Sequence, residues 1–479
     1  MEGSRRQPRL PCGLRRADAE RVSIANERHL QQQRLTSEDL QPSLVSIAGR
    51  AQTELAVAAC RLVDERCDAE LLREAGELAT RGRSLHEVDE VRPDATFGEE
   101  PERFSRVRAL LHTEDLNVHA YGPDIMERFV RSDLRPRSSH VSRPSEYTYA
   151  PAWWVPGAHV RTLWGKFVRR SPPLETRVER WPTDDGDEIE LHRVAPLGPR
   201  APHGGRLLVL HGLEGTIRSH YLRGLLSLAQ QRGWWADALI FRTCNGEMTR
   251  ARRLYHSGET SDLDGVVQRL VRAHPGQPLA VTGFSLGGNV LLKWLGELGQ
   301  RTPIEVKAAA AVSVPFDLER GSRFIERGFA RVYTRHFLRT LRAKARVKLA
   351  RDPGLFDASA LERARTLFEF DDVVTAPVHG FQDASDYYQR SSSLRYLSAI
   401  RRPTLLLSAF DDPFLPPEVL REVEDLARAN PRLTAEFHQR GGHVGFISGR
   451  APWAPRYYAE ERVLGYLDEI IGSSSVPSP

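Results

Sequence analysis

Cysteine is scarce in this chain. Cys12, Cys60, Cys67 and Cys244 are the four, three of them within the first 70 residues and in no regular framework. That pattern excludes a disulfide-stapled scaffold and argues for a reducing compartment, so a cytoplasmic protein is expected. Long apolar runs are also missing. The best lies around residues 308–315, well short of the ~18 residues that cross a bilayer. The Arg-rich start is followed by no apolar segment of the kind a secretory signal needs. No metal-ligand spacing, Walker loop or dinucleotide fingerprint occurs, so neither metal nor cofactor is expected. Lysine is rare too: Lys166, Lys293, Lys307, Lys344 and Lys348 stand against 63 arginines. An arginine bias of this size follows genome base composition as readily as function. The net charge of +5 over 479 residues is weak beside the clustered basic faces that grip phosphate, so no nucleic-acid partner is expected.

What is present divides the chain. Hydrophobic residues make up 40% and charged residues 27% of 479 residues, a length beyond one typical domain. Residues 1–145 are Arg/Glu-rich. They hold one helical stretch, residues 40–78, with Leu40, Leu44, Ile47, Leu55, Leu62 and Val63 near helical spacing and Thr36 or Ser37 as its cap. Residues 81–145 carry many charges and little periodicity, which reads as linker or disorder. Met1, Met126 and Met248 are the only methionines. Because Met126 lies just before the well-patterned region, two readings of residues 1–125 stand: a genuine extension, or a start placed too far upstream.

From residue 146 the pattern tightens. Residues 178–181 and 189–194 flank Asp184-Asp185-Gly186, a hairpin signal. Strands are then expected at Arg206–Leu210, 236–241, 279–283, 307–314, 404–408 and Leu433–His438. Between them helices are expected at His220–Gln231, Ser261–Ala273, Leu286–Leu298 and Pro417–Ala429, with a last one at 460–471. Short apolar runs alternating with helices imply a mostly parallel sheet covered by helices on both faces. The alternation fails once, between Val314 and Thr404. That gap is helical and charged, and a helical cap insertion is expected there, over about residues 316–400.

Gly283-Phe284-Ser285-Leu286-Gly287 is a G-x-S-x-G pattern with an apolar strand before it and a helix after it. A sharp strand-to-helix turn exposes the serine Oγ, and small neighbours let strand and helix approach. Serine needs a base, and the base an orienting carboxylate. In sheets of this kind they follow in the order Ser, acid, His. One downstream strand runs into Asp411-Asp412-Pro413 and the next into Gly441-Gly442-His443. His443 is the expected base, with His438 and His379 as the other downstream candidates. Asp412 is preferred as the acid because it precedes Leu415-Pro416 by a few residues, while Asp411 is suited to capping the loop. Two backbone N–H groups are expected to stabilise the oxyanion: Leu286, at a helix N-terminus, and Leu213, in the turn His211-Gly212-Leu213. Arg323, Arg327, Arg331, Arg335 and Arg339 recur at a four-residue step, which places them on one helical face. That face reads either as a solvated surface or as a basic cap helix touching anionic lipid or an acidic substrate.

Together these residues resemble the YheT-like branch of the α/β hydrolases, a family that also takes in animal acylglycerol lipases and phospholipases. The resemblance runs from about residue 147 to 471. It rests on Pro151-Ala152-Trp153-Trp154 with His159 and Thr162-Leu163-Trp164, and on His211-Gly212-Leu213-Glu214-Gly215. Further blocks are residues 241–247, Tyr255-His256-Ser257-Gly258, 283–289, Phe370-Asp371 through Tyr387-Tyr388, Asp411-Asp412-Pro413-Phe414 and 441–446. Thr243 and Asn245 depart from the small residues usual there. The resemblance implies an α/β-hydrolase fold, a Ser285–Asp412–His443 triad, and hydrolysis of carboxylic esters of short-chain or monoacylglycerol type. Acyl transfer on the same triad and a non-catalytic binding protein on the same scaffold are the competing readings. Residues 1–145 have no counterpart in the family pattern.

Overall fold

The computed structural model describes residues 148–197 and 204–473. The helix expected over 40–78 and the linker over 81–145 lie outside the described residues. The described residues open with helix α1 (Ala158–Phe167), then a hairpin of β1 (Arg177–Pro182) and β2 (Glu188–Val194) whose turn uses Gly186 at φ 78°. A left-handed residue is what such a turn requires, and glycine supplies it without steric penalty.

There follow β3 (Arg206–Leu210), α2 (His220–Gln231), β4 (Trp235–Ile240), α3 (Ser261–Ala273), β5 (Leu279–Phe284), α4 (Leu286–Leu298) and β6 (Val306–Val312). The eight-stranded sheet has the order β1-β2-β4-β3-β5-β6, continued by β7 (Thr404–Ala409) and β8 (Leu433–His438). Only the β1–β2 and β2–β4 pairs are antiparallel; the five remaining neighbour pairs are parallel. Every residue of β3, β5 and β7 is buried. Strands that bury alternate side chains on both sides must be covered on both faces, which is why they read as continuous apolar runs. The covering helices show the matching stripe: Leu263, Val266, Val267 and Leu270 are buried on α3, with Asp262 and Asp264 at its positive N-terminal turn.

The excursion between β6 and β7 is helical, as expected. It comprises α5 (Leu318–Phe324), α6 (Arg331–Arg351), α7 (Ala358–Arg363), α8 (Leu367–Phe370), a single π turn (Asp371–Thr375), α9 (Ala376–His379) and α10 (Ala384–Ser391). It has an apolar cluster of its own, with Leu338, Ala345, Leu361, Phe370 and Val374 buried together. One expectation fails here. The five arginines at four-residue steps do not share a helix face. Arg323 lies on α5, Arg327 is extended (φ −101°, ψ 141°) and Gly328 has φ +52°, so the helix breaks between Phe324 and Arg331. A four-residue period cannot register a break made by one left-handed glycine. Helix α11 (Pro417–Ala429) and the closing helix α12 (Tyr458–Ser473) complete the described chain.

Candidate active site

The turn from β5 into α4 puts Ser285 at φ 51° and ψ −120°, a conformation few L-residues adopt. Its geometry explains the glycines. A Cβ on Gly283 would lie 2.4 Å from the Gly287 carbonyl oxygen, and one on Gly287 would lie 2.5 Å from the His211 carbonyl oxygen. Strand, helix and the β3 turn therefore meet at backbone contact distance. The Ser285 N–H donates to the Val312 carbonyl at 2.8 Å, tying the turn to the neighbouring strand.

His443 arrives on the loop after β8. Asp411 Oδ1 accepts the N–H groups of Gly441 and Gly442 at 2.7 and 2.8 Å, and its other oxygen pairs with Arg161 on α1 at 3.2 Å. Burial raises the Asp411 carboxyl above its ordinary range, opposed by those two amides and Arg161. The His443 N–H donates to Thr162 Oγ1 (2.9 Å) and the Val444 N–H to Ser313 Oγ (3.0 Å). Val444 and Ser313 have φ of 56° and 52°. The loop is thus over-determined, which is what holds strained backbone in place.

In this setting the His443 ring bridges two groups. Nδ1 is 2.8 Å from Asp412 Oδ2, and Nε2 is 3.0 Å from Ser285 Oγ. A carboxylate only accepts, so Nδ1 carries the proton and Nε2 is left to accept from the serine hydroxyl. Asp412 is 2% exposed, and its second oxygen accepts the Phe414 N–H at 2.8 Å. The Phe414 ring stacks on the imidazole, with centroids 4.1 Å apart. The structure brings Ser285, Asp412 and His443 together and keeps Asp411 on the loop backbone. Of the other downstream histidines, His438 reaches Glu436 and His379 stands against His256.

The turn after β3 lies against the serine: a Cβ on Gly212 would be 3.1 Å from Ser285 Cβ. His211 is fully buried, and burial lowers its pKa to about 4, so the ring is neutral. Its Nε2 accepts from the Phe241 N–H at 3.0 Å, leaving Nδ1 to donate to the Gly212 carbonyl at 2.7 Å. The amides of Gly212, Glu214 and Gly215 are bonded to Tyr221 Oη (2.9 Å), Tyr255 Oη (3.0 Å) and the Gly212 carbonyl (3.0 Å). Among the described residues, the amides of Leu213 and Leu286 have no protein acceptor.

A cavity of about 520 Å³ opens on this group, within the size range of small-molecule sites. The sheet core lines it with Ser285, His443 and Leu213, and the helical excursion with Phe337, Leu341 and Phe370 among others. The π turn adds a polar spot: Asp371 accepts from Tyr388 Oη (2.6 Å) and Thr375 Oγ1 (2.5 Å). Burial raises its carboxyl to about 6. Sequence reasoning missed Ser313, the anchoring role of Thr162, and the buried carboxyl of Asp371, a residue marked only as part of a family block. Thr162 and Phe414 stood inside motifs already marked, whereas Ser313 carried no signal beyond a small polar residue ending an apolar strand.

Fold and site together define an α/β hydrolase. Residues 205–449 match the alpha/beta hydrolase fold family. The chain is 38% identical over 333 residues to YheT of Escherichia coli, an esterase by its name alone, across 69% of this chain and 96% of that protein. It is 30% identical over 329 residues to the phospholipase ABHD3 of Mus musculus, covering 67% and 77% of the two chains. It is also 31% identical over 263 residues to a monoacylglycerol lipase of Saccharomyces cerevisiae, covering 53% and 57%. The chain belongs to the YheT-like family of α/β hydrolases.

Proposed function

We propose that this protein hydrolyses carboxylic esters through an acyl-enzyme on Ser285. The observation that carries the reading is the His443 ring, 3.0 Å from Ser285 Oγ and 2.8 Å from Asp412. Ser285 Oγ attacks the ester carbonyl carbon while His443 Nε2 takes its proton. The negative charge that develops on the carbonyl oxygen is received by the Leu213 and Leu286 amides. As the tetrahedral intermediate collapses, the C–O bond to the alcohol breaks and His443 returns the proton to the leaving oxygen. Water, deprotonated by His443, then attacks the acyl carbon; collapse of this second intermediate breaks the bond to Ser285 Oγ, His443 returns the proton to that oxygen, and the carboxylic acid leaves. Asp412 holds the imidazole in the required tautomer and stabilises its charged form.

The substrate we assign is an ester with a short or single acyl chain. An apolar cavity of about 520 Å³ suits one chain, and the relatives named esterase and monoacylglycerol lipase agree with that choice. The test is turnover of p-nitrophenyl butyrate. Ser285→Ala is expected to lower kcat by roughly 10⁴-fold or more; an unchanged rate overturns the reading. Failure of Ser285 to react with a fluorophosphonate probe would point instead to a binding protein on this scaffold. Ester formation with an added alcohol, in preference to free acid, would point to acyl transfer.

A further inference from the structure

The helical excursion reaches back to the β3 turn at one charged point. Lys344, on α6, donates from Nζ to Glu214 Oε1 at 2.7 Å, across 130 residues of sequence. Glu214 follows Leu213 directly and is a non-glycine residue at φ 55°. Its backbone N–H donates to Tyr255 Oη (3.0 Å), and the Tyr255 hydroxyl donates in turn to Glu214 Oε1 (2.7 Å). Tyr255 is itself fixed: its ring stacks on Phe241 at 5.7 Å and 8°, and the Phe241 N–H is held by His211. The Lys344 Nζ also lies 3.6 Å from the buried Cys244 Sγ and 5.6 Å from the Tyr255 ring centroid. The Lys344 and Glu214 side chains keep 24% and 10% of their exposure, and both line the cavity with Ser285.

This arrangement has an electrostatic consequence. Glu214 follows Leu213 and lines the same cavity as Ser285, so its carboxylate shares that cavity with the substrate oxygen that becomes negative. Like charges close together in a poorly screened cavity repel strongly, so a bare Glu214 would oppose the step that the Leu213 amide assists. We infer that Lys344 is a positioning residue of the oxyanion turn, neutralising Glu214 and holding the Leu213 amide in place from the helical excursion. The inference rests on the reading of Ser285 as an ester-cleaving nucleophile. In its favour, the only donors to Glu214 Oε1 among the described residues are Tyr255 and Lys344, one from each side of the cavity. The helical excursion then does more than enclose substrate, because the charge balance of the hydrolytic centre depends on its docking.

The experiment compares the full-length parent with Lys344→Met, Glu214→Gln and the double variant. Readouts are kcat and KM on p-nitrophenyl butyrate, affinity for a butyl boronic acid that forms a tetrahedral adduct on serine, affinity for butyrate, and thermal melting. Lys344→Met is expected to lose roughly 10- to 100-fold in kcat, with KM and butyrate affinity little changed. Boronate affinity should fall with kcat. Removing the carboxylate as well should restore most of the loss. Glu214→Gln alone keeps an acceptor for Tyr255 and a cation at the turn, so it should lose less than Lys344→Met. Should Lys344→Met fail to fold, Lys344→Arg must retain more activity than Lys344→Gln; equal activity of the two overturns the inference. An unchanged kcat in Lys344→Met overturns the inference. So does a double variant no better than the single one, or a loss that appears in KM and melting temperature alone. If Ser285→Ala retains activity, the hydrolase reading has failed instead, and that result is separate from anything Lys344 does.

Discussion

The hydrolase sheet and the helical excursion between β6 and β7 build the same cavity by different means. On the sheet side, position is set by backbone conformation, which the Asp411, Thr162 and Ser313 side chains anchor. Ser285, Ser313 and Val444 all occupy positive φ, and glycines sit where any Cβ would strike main chain. On the excursion side, position is set by single side chains that cross long stretches of sequence: Lys344 to Glu214, Tyr387 Oη to the Ser257 N–H at 2.9 Å, and the Ser391 carbonyl to Asn289 Nδ2 at 2.8 Å. Backbone geometry leaves little latitude and tolerates few replacements. Side-chain ties can be exchanged one by one.

The largest expected contrast is between two identical substitutions. Gly287→Ala places a Cβ 2.5 Å from the His211 carbonyl oxygen and 2.8 Å from that of Leu210. Neither backbone atom can retreat without moving β3, so a loss of at least about 2–3 kcal/mol in stability, together with activity, is expected. Gly321→Ala, on α5, meets nothing nearer than 3.8 Å. Replacing a helical glycine there should add up to about 1 kcal/mol. Thermal melts of the two variants check the opposite signs, and equal effects would break the comparison.

A smaller effect is expected at Thr162→Val. It removes the acceptor of the His443 N–H, leaving a buried donor unmet at about 1–3 kcal/mol. Turnover should fall while KM holds, and Thr162→Ser should recover most of it. The smallest effect belongs to the excursion. Burial raises the Asp371 carboxyl to about 6, so the folded chain holds this proton more tightly than the unfolded chain, whose Asp titrates near ~3.9. The stability that the proton contributes is full below that lower value and is lost as pH rises through about 6. Asp371→Asn, neutral at every pH, should therefore melt a few degrees above the parent at pH 7.5, with the gain gone at pH 4.

Much of the sheet was legible because its signals are local. The helices at His220–Gln231, Ser261–Ala273, Leu286–Leu298 and Pro417–Ala429 have the expected limits, since each sits between apolar strands and shows a clear amphipathic stripe. The strand expected at 307–314 starts one residue earlier and ends two residues sooner, at Val312, because Ser313 and Val314 remain small or apolar after the chain has left β6. The arginine row misled because a period of four describes spacing and not continuity.

Sequence alone was enough for the alternation of strands and helices, the serine turn, and the short motifs that carry Asp412 and His443, because each is written in contiguous residues. Tertiary structure decided the rest. It set Asp412 against His443 while Asp411 took the loop amides, it used Thr162 and Ser313 as anchors, and it brought Lys344 to Glu214. Those choices depend on which oxygen faces which hydrogen across 30 to 281 residues of chain, and only packing of the completed sheet brings such groups within bonding distance.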